Sequence, residues 1–68
     1  MPEQLDIEII IIDGMAVVDL RSGPRSMMLR RFERVNGYTH NYIDDAVHYA
    51  NQVAEMLGCK VKKQDFTR

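Results

Sequence analysis

Between residues 5 and 12 the chain sets two parities against each other. Leu5, Ile7, Ile9 and Ile11 are all apolar, while the alternate positions run Asp6, Glu8, Ile10, Ile12. A period of two marks a half-buried strand, and β-branched side chains suit one. Asp13-Gly14 follows, a preferred pair for the two-residue type I′ turn. Met15 to Leu20 is then the return strand of a hairpin over residues 5–20. A two-residue loop fixes the register. It pairs Ile12 with Met15, Ile11 with Ala16, Ile10 with Val17, Ile9 with Val18 and Ile7 with Leu20. One face gathers Leu5, Ile7, Ile9, Ile11, Ala16, Val18 and Leu20 with no charge among them. The other holds Asp6, Glu8, Asp19 and Arg21 at one end and Ile10, Ile12, Met15 and Val17 at the other. A slip of one residue would mix the two sets.

Arg21 to Ser26 contains Gly23-Pro24 and reads as a loop. Met27 to Val35 fits two patterns imperfectly. As a helix, Met28, Leu29, Phe32 and Val35 share a stripe; as a strand, Met28, Arg30, Phe32 and Arg34 alternate against Met27, Leu29, Arg31, Glu33 and Val35. A third strand over 27–35 is preferred, because a lone hairpin needs a further strand beside it to be stable. Asn36-Gly37 ends it. The next element is a helix over residues 42–57. Asn41 is the expected N-cap, with Asp44 in the capping-box position and Asp45 beside it at the positive end of the helix dipole. Ile43, Ala46, Val47, Ala50, Val53, Ala54 and Leu57 form its apolar face, and Gly58 is the C-terminal stop. Residues 59–66 add an edge strand, its lysines in water and Cys59, Val61 and Phe66 turned inward. The expected architecture is α+β, in the order β-β-β-α-(β), with one helix covering one face of an antiparallel sheet. The pattern does not yield the order of the strands.

The 68 residues make a single compact domain, with 46% hydrophobic and 28% charged positions. Such a domain buries only roughly 60% of the surface its unfolded chain exposes, and one cysteine allows no internal disulfide. The longest apolar runs, Ile9 to Ile12 and Met15 to Val18, are far too short to cross a bilayer. No basic-then-apolar stretch opens the chain, so the expected setting is cytoplasmic. The net charge of −1 conceals segregation. Residues 1–20 carry five acids and no base, and residues 21–40 carry five arginines against Glu33. Residues 41–59 are acidic again, and the tail from Lys60 is basic.

These blocks frame the candidate chemistry. Arg25, Arg30, Arg31 and Arg34, with Tyr38 and His40 nearby, form a possible contact surface for nucleic acid or an acidic partner. Guanidinium groups bind phosphates, and aromatic rings stack on bases. The simpler reading pairs the arginines with Asp6, Glu8 and Asp19 across strands and lets Tyr38, His40 and Tyr42 close one end of the core. Metal binding is not expected: His40, His48 and Cys59 are spaced like no zinc motif. Asp44 and Asp45 diverge by ~100° around the helix and cannot share an acid–base site. The glycines mark turns and build no phosphate loop. The chain is therefore expected to be no enzyme and to need no cofactor, small-molecule substrate or membrane.

The surplus is apolar. If the helix covers one face of the hairpin, Ile10, Ile12, Met15 and Val17 remain on the other, extended by Met27 or Met28. The alternative is cover by the C-terminal segment through Phe66. Gly37-Tyr38-Thr39, then Asp45-Ala46-Val47-His48-Tyr49-Ala50 and Leu57-Gly58, resemble the strand-to-helix passage of phage integrase arm-binding domains. That resemblance implies a three-stranded sheet plus a helix, binding DNA through the open sheet face. The reading preferred here is a protein-interaction module, a homodimer or a small inhibitor or accessory protein of phage or bacterial type. It would bind through Ile10, Ile12, Met15 and Val17, with the arginines as a charged rim. The alternative is a nucleic-acid-binding domain that uses the arginine cluster.

Overall fold

The structure, a computed structural model, describes residues 4–12, 14–34 and 41–66. Its elements are β1 (Leu5–Ile12), β2 (Met15–Ser22), β3 (Arg25–Glu33), α1 (Tyr42–Leu57) and β4 (Lys60–Asp65). They form a four-stranded sheet with one helix packed on it, an α+β fold. The strand order is β3-β2-β1-β4. The hairpin register is the one that the turn and the alternation dictate, with Ile12 opposite Met15, Ile9 opposite Val18 and Ile7 opposite Leu20.

Two boundaries differ from expectation. The loop over Arg21–Ser26 shrinks to a tight turn at Gly23-Pro24, because Arg21 pairs with Ser26 and Ser22 with Arg25. Gly23 takes φ 59° and the ring of Pro24 holds a negative φ, the sign pattern of a hairpin turn of type II′. Gly-Pro thus joins two strands here where it was expected to interrupt them. The third strand accordingly runs over Arg25–Glu33, two residues earlier than the pattern suggested. Val35 and Asn36-Gly37 lie outside the described residues.

The mixed pattern of the third strand has a structural cause. Arg30 pairs with Val18 but Met28 pairs with Asp19, so Leu29 is the extra residue of a β-bulge. The bulge shifts the alternation by one. Leu29 and Phe32, three residues apart, therefore both pack against the core, which imitates helical spacing in a strand.

The helix begins as expected. The Asn41 side chain accepts from the Ile43 and Asp44 backbone N–H groups at 3.0 and 3.2 Å, and its amide donates to Asp44 Oδ2 at 3.1 Å. Gly58 ends it at φ 69°, a conformation that costs a side-chain-bearing residue more. The buried face is Tyr42, Ala46, Ala50 and Ala54, a four-residue ladder whose next step is Gly58. Leu57 falls off that ladder and is 48% exposed, contrary to its expected place on the apolar face. Small alanines let the helix lie close to Ile7, Ile9, Ile11, Ala16 and Val18, all at most 1% exposed. After α1 the chain returns as β4, parallel to β1, with Val61 beside Ile7. Cys59 and Val61 pack against the core, as expected. Phe66 does not: it is 60% exposed.

Candidate interaction face

The helix covers one side of the sheet, and the registers define the other side row by row. From the Gly14 end, the first row reads Glu33, Met15, Ile12, and the second Arg31, Val17, Ile10, Gln64. The third reads Met28, Asp19, Glu8, Lys62, and the fourth Ser26, Arg21, Asp6, Lys60. The Phe66 backbone N–H donates to the Ile11 carbonyl at 2.8 Å, which carries the ladder one step past β4. Strand alternation then sets Phe66 in the first row beside Ile12. Ile10, Ile12, Met15 and Val17 thus share one half of the open face. Ile12 is 42% exposed and the other three are half-buried. Among the described residues the C-terminal segment does not cap them: Phe66 is 60% exposed and extends the row.

The other half is charged, and its charges are largely spent. Arg21 Nη1 meets Glu8 Oε1 at 3.3 Å, and Lys62 Nζ meets Asp6 Oδ2 at 3.4 Å. Glu8 and Asp19 stand directly opposite each other across β1 and β2. Burial raises the Asp19 carboxyl above the ordinary aspartate range, and the Glu8 charge raises it further. Asp6 Oδ1 and Asp19 Oδ1 are enclosed without a hydrogen-bond partner among the described residues. These acids lie beside long side chains on an open sheet, not in a cleft, and two of the three are neutralised by a neighbouring base.

The structure divides the arginines. Arg31 is on the open face, where its Nε contacts Glu33 Oε1 at 2.8 Å. Arg30 stacks over Phe32 and Tyr49 on the helix side, at 4.8 and 5.6 Å from the ring centroids. Arg34 lies over Tyr42 at 5.9 Å. Arg25 is exposed beside the Gly23-Pro24 turn, at the far end of β3. Strand alternation sends neighbours 30 and 31 to opposite sides, so the sequence cluster becomes no single stripe. Tyr42 belongs to the core, 9% exposed, while Tyr38 and His40 lie outside the described residues. Met28 stands on the open face in the acidic row, and Met27 stands on the helix side beside Leu20.

Among the described residues no group of His, Cys, Asp and Glu is arranged to hold a metal ion, and no helix is long and apolar enough to cross a membrane. His48 is exposed and Cys59 half-buried. The groove at the helix end, lined by Gln4, Leu5, Leu57, Gly58, Cys59 and Lys60, is shallow and open. Two parts of the open face were not legible in the sequence. Phe66 joins it because β4 pairs with β1 in parallel, which no local signal encodes. The Arg31–Glu33 pair was visible as a spacing of two, but its side of the sheet depended on the bulge. Compared with family models, curated proteins and solved structures, the chain matches none.

Proposed function

We propose that this chain is a non-enzymatic protein-interaction module whose contact surface is the open sheet face. The observation that carries the reading is one-sided cover: a single helix buries Ile7, Ile9, Ile11 and Val18, and nothing among the described residues covers Ile10, Ile12, Met15, Val17 and Phe66. Contiguous apolar surface of this kind marks a contact site when polar groups rim it. Arg31, Glu33 and Gln64 supply the rim. The partner is a protein, either a second copy or a target that the chain inhibits or assists. A nucleic-acid role draws less support, because Arg21 and Arg31 are engaged by carboxylates and Arg30 and Arg34 lie over aromatic rings on the other side. An enzyme reading draws less as well, since the acidic row has no walls to hold a substrate.

The test combines two measurements on the whole chain. NMR shifts followed as concentration rises are expected to move at Ile10, Ile12, Met15 and Val17, and Ile10→Asp is expected to abolish the movement. Anisotropy with labelled duplex and single-stranded DNA is expected to show no binding at low salt. Tight, salt-sensitive DNA binding that survives Ile10→Asp and is lost in Arg30→Glu/Arg34→Glu would overturn the reading.

A further inference from the structure

We propose that the open face is occupied by a second copy of this chain, related by a two-fold axis that runs across the strands between the Met15–Ile12 row and the Val17–Ile10 row. The inference rests on the open-face reading and specifies its partner and geometry. Two identical faces that pack with their strands aligned have the two-fold axis either along the strands or across them. An axis along the strands keeps each row against itself with its order reversed. Asp19 of one copy would then face Glu8 of the other, twice, in a row where the two already stand opposite each other. Four carboxylates would gather away from water, and the enclosed Asp19 Oδ1 finds no donor there. Its like charges disfavour that arrangement.

An axis across the strands sets neighbouring rows against each other. Ile12 meets the second copy's Ile10, and Met15 meets the second copy's Val17. Phe66 lies over the second copy's Gln64. At the β3 edge Glu33 meets the second copy's Arg31, and Arg31 meets the second copy's Glu33. The pair already in contact at 2.8 Å within each chain thus closes into a square of alternating charge. The acidic rows fall outside the overlap and keep the surroundings they have in one chain, with Asp6 and Glu8 already buried by their neighbours. Sheets packed face to face sit about 10 Å apart, a gap that side chains from both copies fill. The charge complementarity is built into one strand: an acid and a base two residues apart on one face complement themselves under this rotation and under no rotation along the strand. The overlap covers about half of a small sheet, less than the ~1,200 Å² typical of a stable complex, so the dimer is a weak one.

The experiment is a charge exchange read by sedimentation equilibrium. Arg31→Glu and Glu33→Arg, each alone, set like charges against each other and are expected to weaken self-association about tenfold or more. An equimolar mixture of the two variants is expected to associate again as a heterodimer, because every acid then faces a base. The double variant Arg31→Glu/Glu33→Arg is expected to self-associate like the natural chain. Both side chains are more than half exposed, so the fold survives each change, and circular dichroism verifies it. Variants that fail to pair in the mixture while the natural chain dimerises would overturn the geometry. A natural chain that stays monomeric at millimolar concentration would overturn the second copy and leave the open face for a different protein. Concentration-dependent shifts confined to the helix or to the backbone edge of β3 would overturn both readings.

Discussion

The two faces of this sheet are built from alternate residues of the same strands, yet they follow different rules. On the helix side every β1 position from Ile7 to Ile11 is apolar and fully buried, and small alanines opposite allow close approach. On the open side the same strand reads Asp6, Glu8, Ile10, Ile12, half charged and half apolar. The first face is organised by packing, which needs only volume and absence of charge. The second is organised by pairing, and its ion pairs lie across strands and within one strand. A domain of this size cannot give up the first face. It can expose the second, and Ile12 and Phe66 are 42% and 60% exposed there.

The neighbours Ile9 and Ile10 offer the sharpest way to break this comparison. Ile9→Asp places a charge in the core and is expected to unfold the domain outright, while Ile10→Asp is expected to leave the fold intact and remove self-association. Circular dichroism with sedimentation separates the two. Truncation shows the same contrast at lower amplitude. Ile9→Ala is expected to cost about 3 kcal/mol in urea unfolding. Ile10→Ala is expected to cost about 1 kcal/mol or less in dilute, monomeric protein. Equal costs at the two sites would mean that the open face is covered within the monomer.

Smaller effects refine the picture. Asn41→Ala removes the acceptor for two helix N–H groups and is expected to cost about 1 kcal/mol, loosening the covered face alone. Asp19→Asn is expected to stabilise the open face by about 0.5 kcal/mol at neutral pH, since it removes the like charge opposite Glu8. The sign follows from linkage. An acid whose folded value is raised binds its proton more tightly folded than unfolded, so its ionisation costs stability as pH climbs through the raised value. The advantage of Asp19→Asn is therefore present above that value and fades as pH falls into the ordinary aspartate range. Urea midpoints at neutral and acidic pH check it. A gain that persists unchanged in acid would mean that Asp19 is not strained by its charge.

How much was legible differs between the two faces for the same reason that they differ physically. Ile7, Ile9 and Ile11 announce a buried parity by themselves, though Leu5 at its end is 37% exposed, and Asp13-Gly14 pins the partner positions, so hairpin, register and both faces follow from local pattern. The helix and its caps are equally local: an asparagine before the first turn, a glycine after the last, alanines at four-residue steps. The strand between them misled the pattern because one inserted residue, Leu29, shifts the parity that any periodic reading relies on. The arginines were less misleading: strand alternation by itself puts Arg30 and Arg31 on opposite faces, and the bulge decides only which of them faces the helix.

Local order in this chain was thus decided by short-range chemistry: periodicity, turn dipeptides and caps, each acting over a few residues. The order β3-β2-β1-β4, the parallel pairing that brings Phe66 beside Ile12, and the bulge that sets Arg31 and Glu33 on the open side were decided only in the tertiary structure. Those features depend on which edge of the hairpin the chain returns to after the helix, a choice between surfaces far apart in sequence. No local residue pattern encodes it, because local patterns act over a few residues only.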